Sequence, residues 1–134
     1  MRPLNLNRLT LYTRRLDEMV AFYQLHFGYR AYQEPGDRIV ELQPPGSGAI
    51  LHLHPLAKSQ KEGQVIVKLG FDVEDVETFA ATAFENGLKF SKPFKANGYM
   101  FANAKDPSKN NISISSRAYA QLDLRPYAPS DDMK

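Results

Sequence analysis

The amino-acid sequence matches itself at an offset close to half its length. Arg8-Leu9-Thr10-Leu11-Tyr12-Thr13-Arg14-Arg15-Leu16-Asp17 lies over Lys68-Leu69-Gly70-Phe71-Asp72-Val73-Glu74-Asp75-Val76-Glu77, 60 residues further on. Basic falls on basic at the first position, acidic on acidic at the tenth, and aliphatic or aromatic residues coincide between them. Leu51-His52-Leu53-His54 lies over Ile112-Ser113-Ile114-Ser115 at an offset of 61, with the branched aliphatics in phase. Two copies of one unit are therefore expected within the 134 residues, and a repeat decides the fold before any single element does.

Each unit reads as strand, helix, three strands. Arg8 to Thr13 alternates, with Leu9 and Leu11 on one face and Arg8, Thr10 and Tyr12 on the other, which is a strand pattern. Leu16, Met19, Val20, Tyr23 and Phe27 then recur at helical spacing, Asp17 and Glu18 suit the first turn, and Gly28 can stop the helix. Strands are expected over 29–33, 38–43 and 49–54, with turns at Glu34-Pro35-Gly36-Asp37 and Pro44-Pro45-Gly46-Ser47-Gly48. In the second unit a strand over 65–73 leads into a helix with Val76, Phe79, Ala80, Ala83 and Phe84, which Gly87 ends. Strands over 88–92, 99–104 and 111–115 complete it. The boundaries are 5–54 for the first repeat, 55–63 for a polar linker, 64–117 for the second repeat and 118–134 for a tail. One domain over 1–134 is expected, because each unit alone leaves a sheet face uncovered.

Sheet parity then separates the core from the candidate site. If Leu51, Leu53, Ile112 and Ile114 face the helices, then His52, His54, Ser113 and Ser115 face away. Arg8, Thr10, Tyr12, Lys68, Gly70 and Asp72 join them by the same parity, as does Glu41 if Val40 and Leu42 pack inward. A face this polar suits a water-accessible cavity. Tyr99, Met100 and Phe101 are further wall residues, and His26 is expected on the surface of the first helix or at a contact between two copies.

Composition closes off other classes. Lys and Arg exceed Asp and Glu by 17 to 15, so the net charge is +2 and no basic patch points to nucleic acid. Cysteine is absent, which excludes disulfides, thiolate zinc sites and a cysteine nucleophile. No apolar run approaches the ~20 residues of a membrane span, and Met1 to Asn7 lacks the apolar stretch of a secretory signal. A cytoplasmic location without membrane or nucleic-acid partners is the expectation.

The repeated βαβββ order, with Phe22-Tyr23 ahead of Gly28 and Asp106-Pro107-Ser108-Lys109-Asn110 ahead of the last strand, resembles the vicinal oxygen chelate superfamily. That superfamily includes glyoxalase I, bleomycin-resistance proteins and extradiol dioxygenases. The resemblance covers roughly residues 5 to 117 and implies an α+β fold: two glyoxalase-like, curved, mixed sheets around a cavity. It departs at Lys109, where the family usually has glycine. In metal-dependent members the ligands come from the first and last strand of each unit, and the matching positions here are Arg8, His52, Lys68 and Ser113. Only His52 among them is a good ligand, since guanidinium has no lone pair and Lys68 must first lose a proton. No metal and no cofactor are expected.

Two functions remain in view. One is a metal-free binding protein for a small polar or anionic molecule, held by Arg8, Tyr12, Glu41, His52, His54, Lys68 and Ser113. In it Arg8 and Lys68 act as an anion clamp, the competing structural reading being ion pairs with Glu41 or Asp72. The other is an enzyme, a lyase, isomerase or dioxygenase with a relocated metal at His52, His54 and Glu41. A metal-free variant uses His52 as general base and Arg8 to stabilise an oxyanion. A homodimer is expected in every case, from the exposed sheet edges and the aromatic tail.

Overall fold

A computed structural model describes residues 8–63, 67–126 and 128. The strand expected over 65–73 thus begins outside the described residues, as do the start of the first repeat and most of the end of the tail. Strand β1 (Arg8–Thr13) leads into helix α1 (Leu16–Phe27), followed by β2 (Arg30–Tyr32), β3 (Val40–Gln43) and β4 (Ile50–Pro55). The second half runs β5 (Lys68–Asp72), α2 (Val76–Glu85), β6 (Phe94–Lys95), β7 (Met100–Lys105) and β8 (Asn111–Ser115), with a 3₁₀ turn at Arg117–Tyr119. The sheets have the orders β1-β4-β3-β2 and β5-β8-β7-β6, the same arrangement in each half. Only β1 with β4 and β5 with β8 pair in parallel, so both sheets are mixed. Among the described residues no helix is long and apolar enough to cross a membrane.

Local chemistry explains the elements. Gly28 at φ 72° ends α1, and its N–H returns to Gln24 O at 3.2 Å, a left-handed stop that a side chain would resist. Asp75 caps α2 by accepting from Thr78 N at 3.0 Å. Arg15 makes no side-chain cap on α1; instead Thr13 Oγ1 accepts the Arg15 N–H at 2.8 Å. The strand expected over 88–92 is absent. Leu88 and Phe90 are buried there, but Ser91 Oγ takes the Asn103 N–H at 3.0 Å, where a strand would offer a carbonyl. The Ser91 N–H does donate to Asn103 O at 2.8 Å, but continuous pairing with β7 starts only beyond Pro93, which has no N–H to give.

The two halves share one core. Leu42, Leu51 and Leu53 of the first sheet and Leu69, Ile112 and Ile114 of the second pack with Met19 and Tyr23 of α1. Phe27 stacks on Phe71 with ring centroids 3.9 Å apart, so α1 lies against the second sheet as well as its own. Tyr23 donates its phenol to Asp106 Oδ2 at 2.8 Å, and the Thr13 and Ser108 hydroxyls are hydrogen-bonded to one another. Burial, and then the Asp106 charge, push the Tyr23 phenol far above its ordinary range, so it stays a donor. The linker is pinned by Arg14, whose Nη2 donates to the carbonyls of Ala57, Lys58 and Gln60.

Lys109 sits in the turn before β8 at φ 69°, the sole non-glycine residue at positive φ among those described. That conformation costs an L-residue roughly 1–2 kcal/mol. A Cβ on Gly63 would fall 2.9 Å from Lys109 Cβ, so the turn is also crowded. Lys109→Gly should therefore stabilise the protein by about 0.5–1 kcal/mol after the added chain entropy. Urea denaturation with an unchanged slope and a raised midpoint is the expected result; a lowered midpoint would show the strain to be relieved elsewhere.

Candidate functional site

Parity and register assemble the site on the face of the first sheet that points away from α1. Glu41 lies opposite His52 in the β3–β4 ladder, and Thr10 opposite His52 in β1–β4. Arg8, Thr10 and Tyr12 are exposed on this face, whereas Leu9 and Leu11 turn towards the core. Three of the expected residues meet directly. Arg8 Nη1 is 3.1 Å from Glu41 Oε1 and 3.1 Å from His52 Nε2, and His52 Nε2 is 2.9 Å from Glu41 Oε1.

The proton inventory follows from those distances. Gln43 donates to Glu41 Oε2 at 2.8 Å. That bond first, then those from His52 and Arg8, hold the Glu41 carboxyl down to about 2. An ionised carboxylate only accepts, so His52 must carry a hydrogen on Nε2 to bond it. Guanidinium only donates, so Arg8 also bonds Glu41, and its contact with the ring nitrogen is a close approach of two donors. His52 therefore has no Nε2 lone pair to offer outward. Its Nδ1 has no hydrogen-bond partner among the described residues.

The other expected residues fall into two groups. His54 donates Nδ1–H to Pro55 O at 2.8 Å and lies against Tyr12, ring centroids 5.1 Å apart. On the second sheet Lys68 Nζ donates to Asn103 Oδ1 at 3.1 Å, not to Asp72. Ser113 is buried, in register with Gly70 and Asn103. None of the principal cavities among the described residues brings Lys68 or Ser113 together with Glu41 and His52, although one of about 490 Å³ joins Thr10 and Tyr12 to Leu69 of β5. A cavity of about 380 Å³ beside Glu41 and His52 is lined by residues 32–35, Asp37 and Ile39, all from the first half. The cavity that reaches Lys68 is lined by neither Glu41 nor His52.

Some contributors escaped the sequence reading. Gln43 stands two residues from Glu41 on the same strand face, so parity could have found it; Asn103 is placed likewise between Phe101 and Lys105. Of the expected wall residues, Met100 packs against the core. Tyr99 instead takes Arg117, whose Nη1 is 3.0 Å from the phenol oxygen, and Phe101 stacks on Phe94.

The fold and this geometry can now be set beside known proteins. The profile of the Glyoxalase/Bleomycin resistance protein/Dioxygenase superfamily matches residues 5–114. The chain belongs to that superfamily. A search among curated proteins returns no match. Among solved structures, an antibiotic-binding protein from a Streptomyces species is 19% identical, with a TM-score of 0.71 over 85% of this chain and 96% of that one. A virulence protein from Salmonella typhimurium is 19% identical, with a TM-score of 0.69 over 86% and 98%. A superfamily member from Sphaerobacter thermophilus is also 19% identical, with a TM-score of 0.68 over 84% and 97%. At such identities these likenesses speak for the fold alone.

Membership raises the question of the superfamily's metal, and the residues present do not fit one. Of the four inherited positions, Arg8 and Lys68 carry amino or guanidino groups engaged as donors, and Ser113 is a buried neutral hydroxyl. The fourth, His52, is a lone donor beside the Arg8 guanidinium. The relocated trio fails on placement, because His54 turns its ring onto Pro55 O and Tyr12. Among the described residues no group of three His, Asp or Glu side chains is placed to hold an ion.

Glu41 makes the site acid-sensitive. Its carboxyl titrates lower folded than unfolded, so its contribution is complete above the ordinary value of 4.5 and lost as pH falls from there towards about 2. The stability difference between wild type and Glu41→Gln should accordingly shrink between pH 6 and pH 3. Equal differences at both values would show that the bonds to Arg8 and His52 do not persist in solution.

Proposed function

We propose that this protein binds a small polar or anionic molecule without the superfamily's metal. One observation carries the reading: the Arg8 guanidinium stands against His52 and Glu41, where a ligand for an ion would be needed. Arg8 and Glu41 cancel in charge, yet side-chain exposures of 56% and 30% leave both open to a ligand that exchanges hydrogen bonds with them. Lys68, on the second sheet, borders a different cavity, so Arg8 carries the positive charge that a ligand here would meet. Tyr12 and His54 offer ring faces alongside, whereas Ser113 is buried on the second sheet. The likeness to an antibiotic-binding protein supports sequestration of a small molecule as the activity.

The test is a thermal-shift panel of carboxylates, phosphates and neutral aromatics on wild type and Arg8→Ala, with elemental analysis of protein purified without chelator. An anionic ligand should lose about tenfold or more in affinity with Arg8, because a charge-assisted hydrogen bond contributes roughly 1.5–3 kcal/mol. About one divalent ion per chain, or stabilisation by neutral aromatics that Arg8→Ala leaves unchanged, would overturn the reading. Metal-free acid–base catalysis is a second reading, favoured by the Nδ1 of the part-exposed His52, which has no partner among the described residues. It requires that a ligand from the panel be turned over by wild type and not by His52→Gln.

A further inference from the structure

A separate cavity of about 690 Å³ opens on the core side of the first sheet and runs along β5, the edge strand of the second. Its volume lies in the range of roughly 300–1,000 Å³ typical of small-molecule sites. Phe27, Tyr29, Phe71 and Phe79 line it, and Arg8, Glu41 and His52 do not. Lys68 and Asp72 also border it and are opposite in charge, so the lining is near neutral and disfavours an ionic guest.

His26, half-buried on α1, borders the same cavity beside Phe27. Its Nδ1 is buried with no hydrogen-bond partner among the described residues. A hydrogen there would be a buried donor with no acceptor, the costlier arrangement, so the neutral ring carries its hydrogen on Nε2. Burial also lowers the ring's pKa, which keeps it neutral. The wall therefore combines stacking surface with one N–H donor that bonds no acceptor among the described residues.

We infer that this cavity binds a flat, uncharged aromatic molecule bearing a carbonyl oxygen, which accepts from His26 Nε2 while its rings pack among Phe27, Phe71 and Phe79. The site stands apart from the polar sheet face and does not depend on what that face binds. The probes are 2-acetylnaphthalene and 2-ethylnaphthalene, alike in shape but only the first with an acceptor, titrated by NMR. The ketone should bind about fivefold more tightly, as one hydrogen bond implies. Shifts are expected in the His26 imidazole and in the rings of Phe71 and Phe79, and none at His52. His26→Phe should abolish the preference, and His26→Gln, which keeps an N–H donor, should retain it. No saturable binding of either probe, shifts at His52 in place of His26, or a preference unchanged in His26→Phe would each overturn the proposal.

Discussion

Asp106→Ala should destabilise this protein by about 4 kcal/mol, near the upper limit for a single substitution. Four donors converge on the carboxylate: the Tyr23 phenol, the backbone N–H groups of Ser108 and Asn110, and the Asn110 side-chain amide, all within 2.8–2.9 Å. Asp106 is 4% exposed and Tyr23 wholly buried, so water does not replace what is removed. Tyr23→Phe loses one of the four bonds and should cost only about 1–1.5 kcal/mol. For a chain this size the alanine variant corresponds to a melting temperature lower by roughly 15 °C. If instead it melts within a few degrees of wild type, the turn before β8 is held by its backbone alone.

The second large effect is a gain. Arg8→His should give a protein that binds zinc at least about 100-fold more tightly than wild type does. In the wild type a divalent ion among these side chains would lie about 4 Å from the guanidinium, a repulsion of about 8 kcal/mol at an effective dielectric near 20. The substitution removes that charge and adds an imidazole to the strand face that Glu41 and His52 share. It also frees Glu41 from one of its three partners, and two histidines with one carboxylate are a competent donor set. Isothermal titration with zinc chloride measures the change. Equal, weak heats for both proteins would show that something other than Arg8 keeps the ion out.

The order of elements was legible because each strand of the ladders has a strict period of two and each helix a period near 3.6, and because the halves state the pattern twice. The Arg8–Glu41–His52 contact was within reach for the same reason, since Val40 and Leu42 are buried and turn Glu41 outward. Which of its alternative partners Arg8 would choose was not, because parity assigns a face and not a distance. Lys68 shows the limit plainly: its position matches that of Arg8 in the repeat, yet it bonds an amide on β7. The stretch over 88–92 misled because alternation of Leu88 and Phe90 reads as a strand whether or not a ladder partner exists. The cavity beside His26 was hidden too, because its other walls come from Phe71 and the loop over 44–49, remote in sequence.

The bond between Tyr23 and Asp106 joins positions 83 residues apart, one from each half, and it has no counterpart in the reverse direction. At the repeat offset Tyr23 falls on Ala83, and Asp106 falls on the Pro45-Gly46 turn. The halves are thus no longer interchangeable. Two first halves brought together would bury a pair of phenols with no carboxylate to receive them, and two second halves would bury carboxylates facing alanine. Whatever self-pairing a lone unit could once have managed, each half is now committed to a partner unlike itself, and that partner is supplied by its own chain.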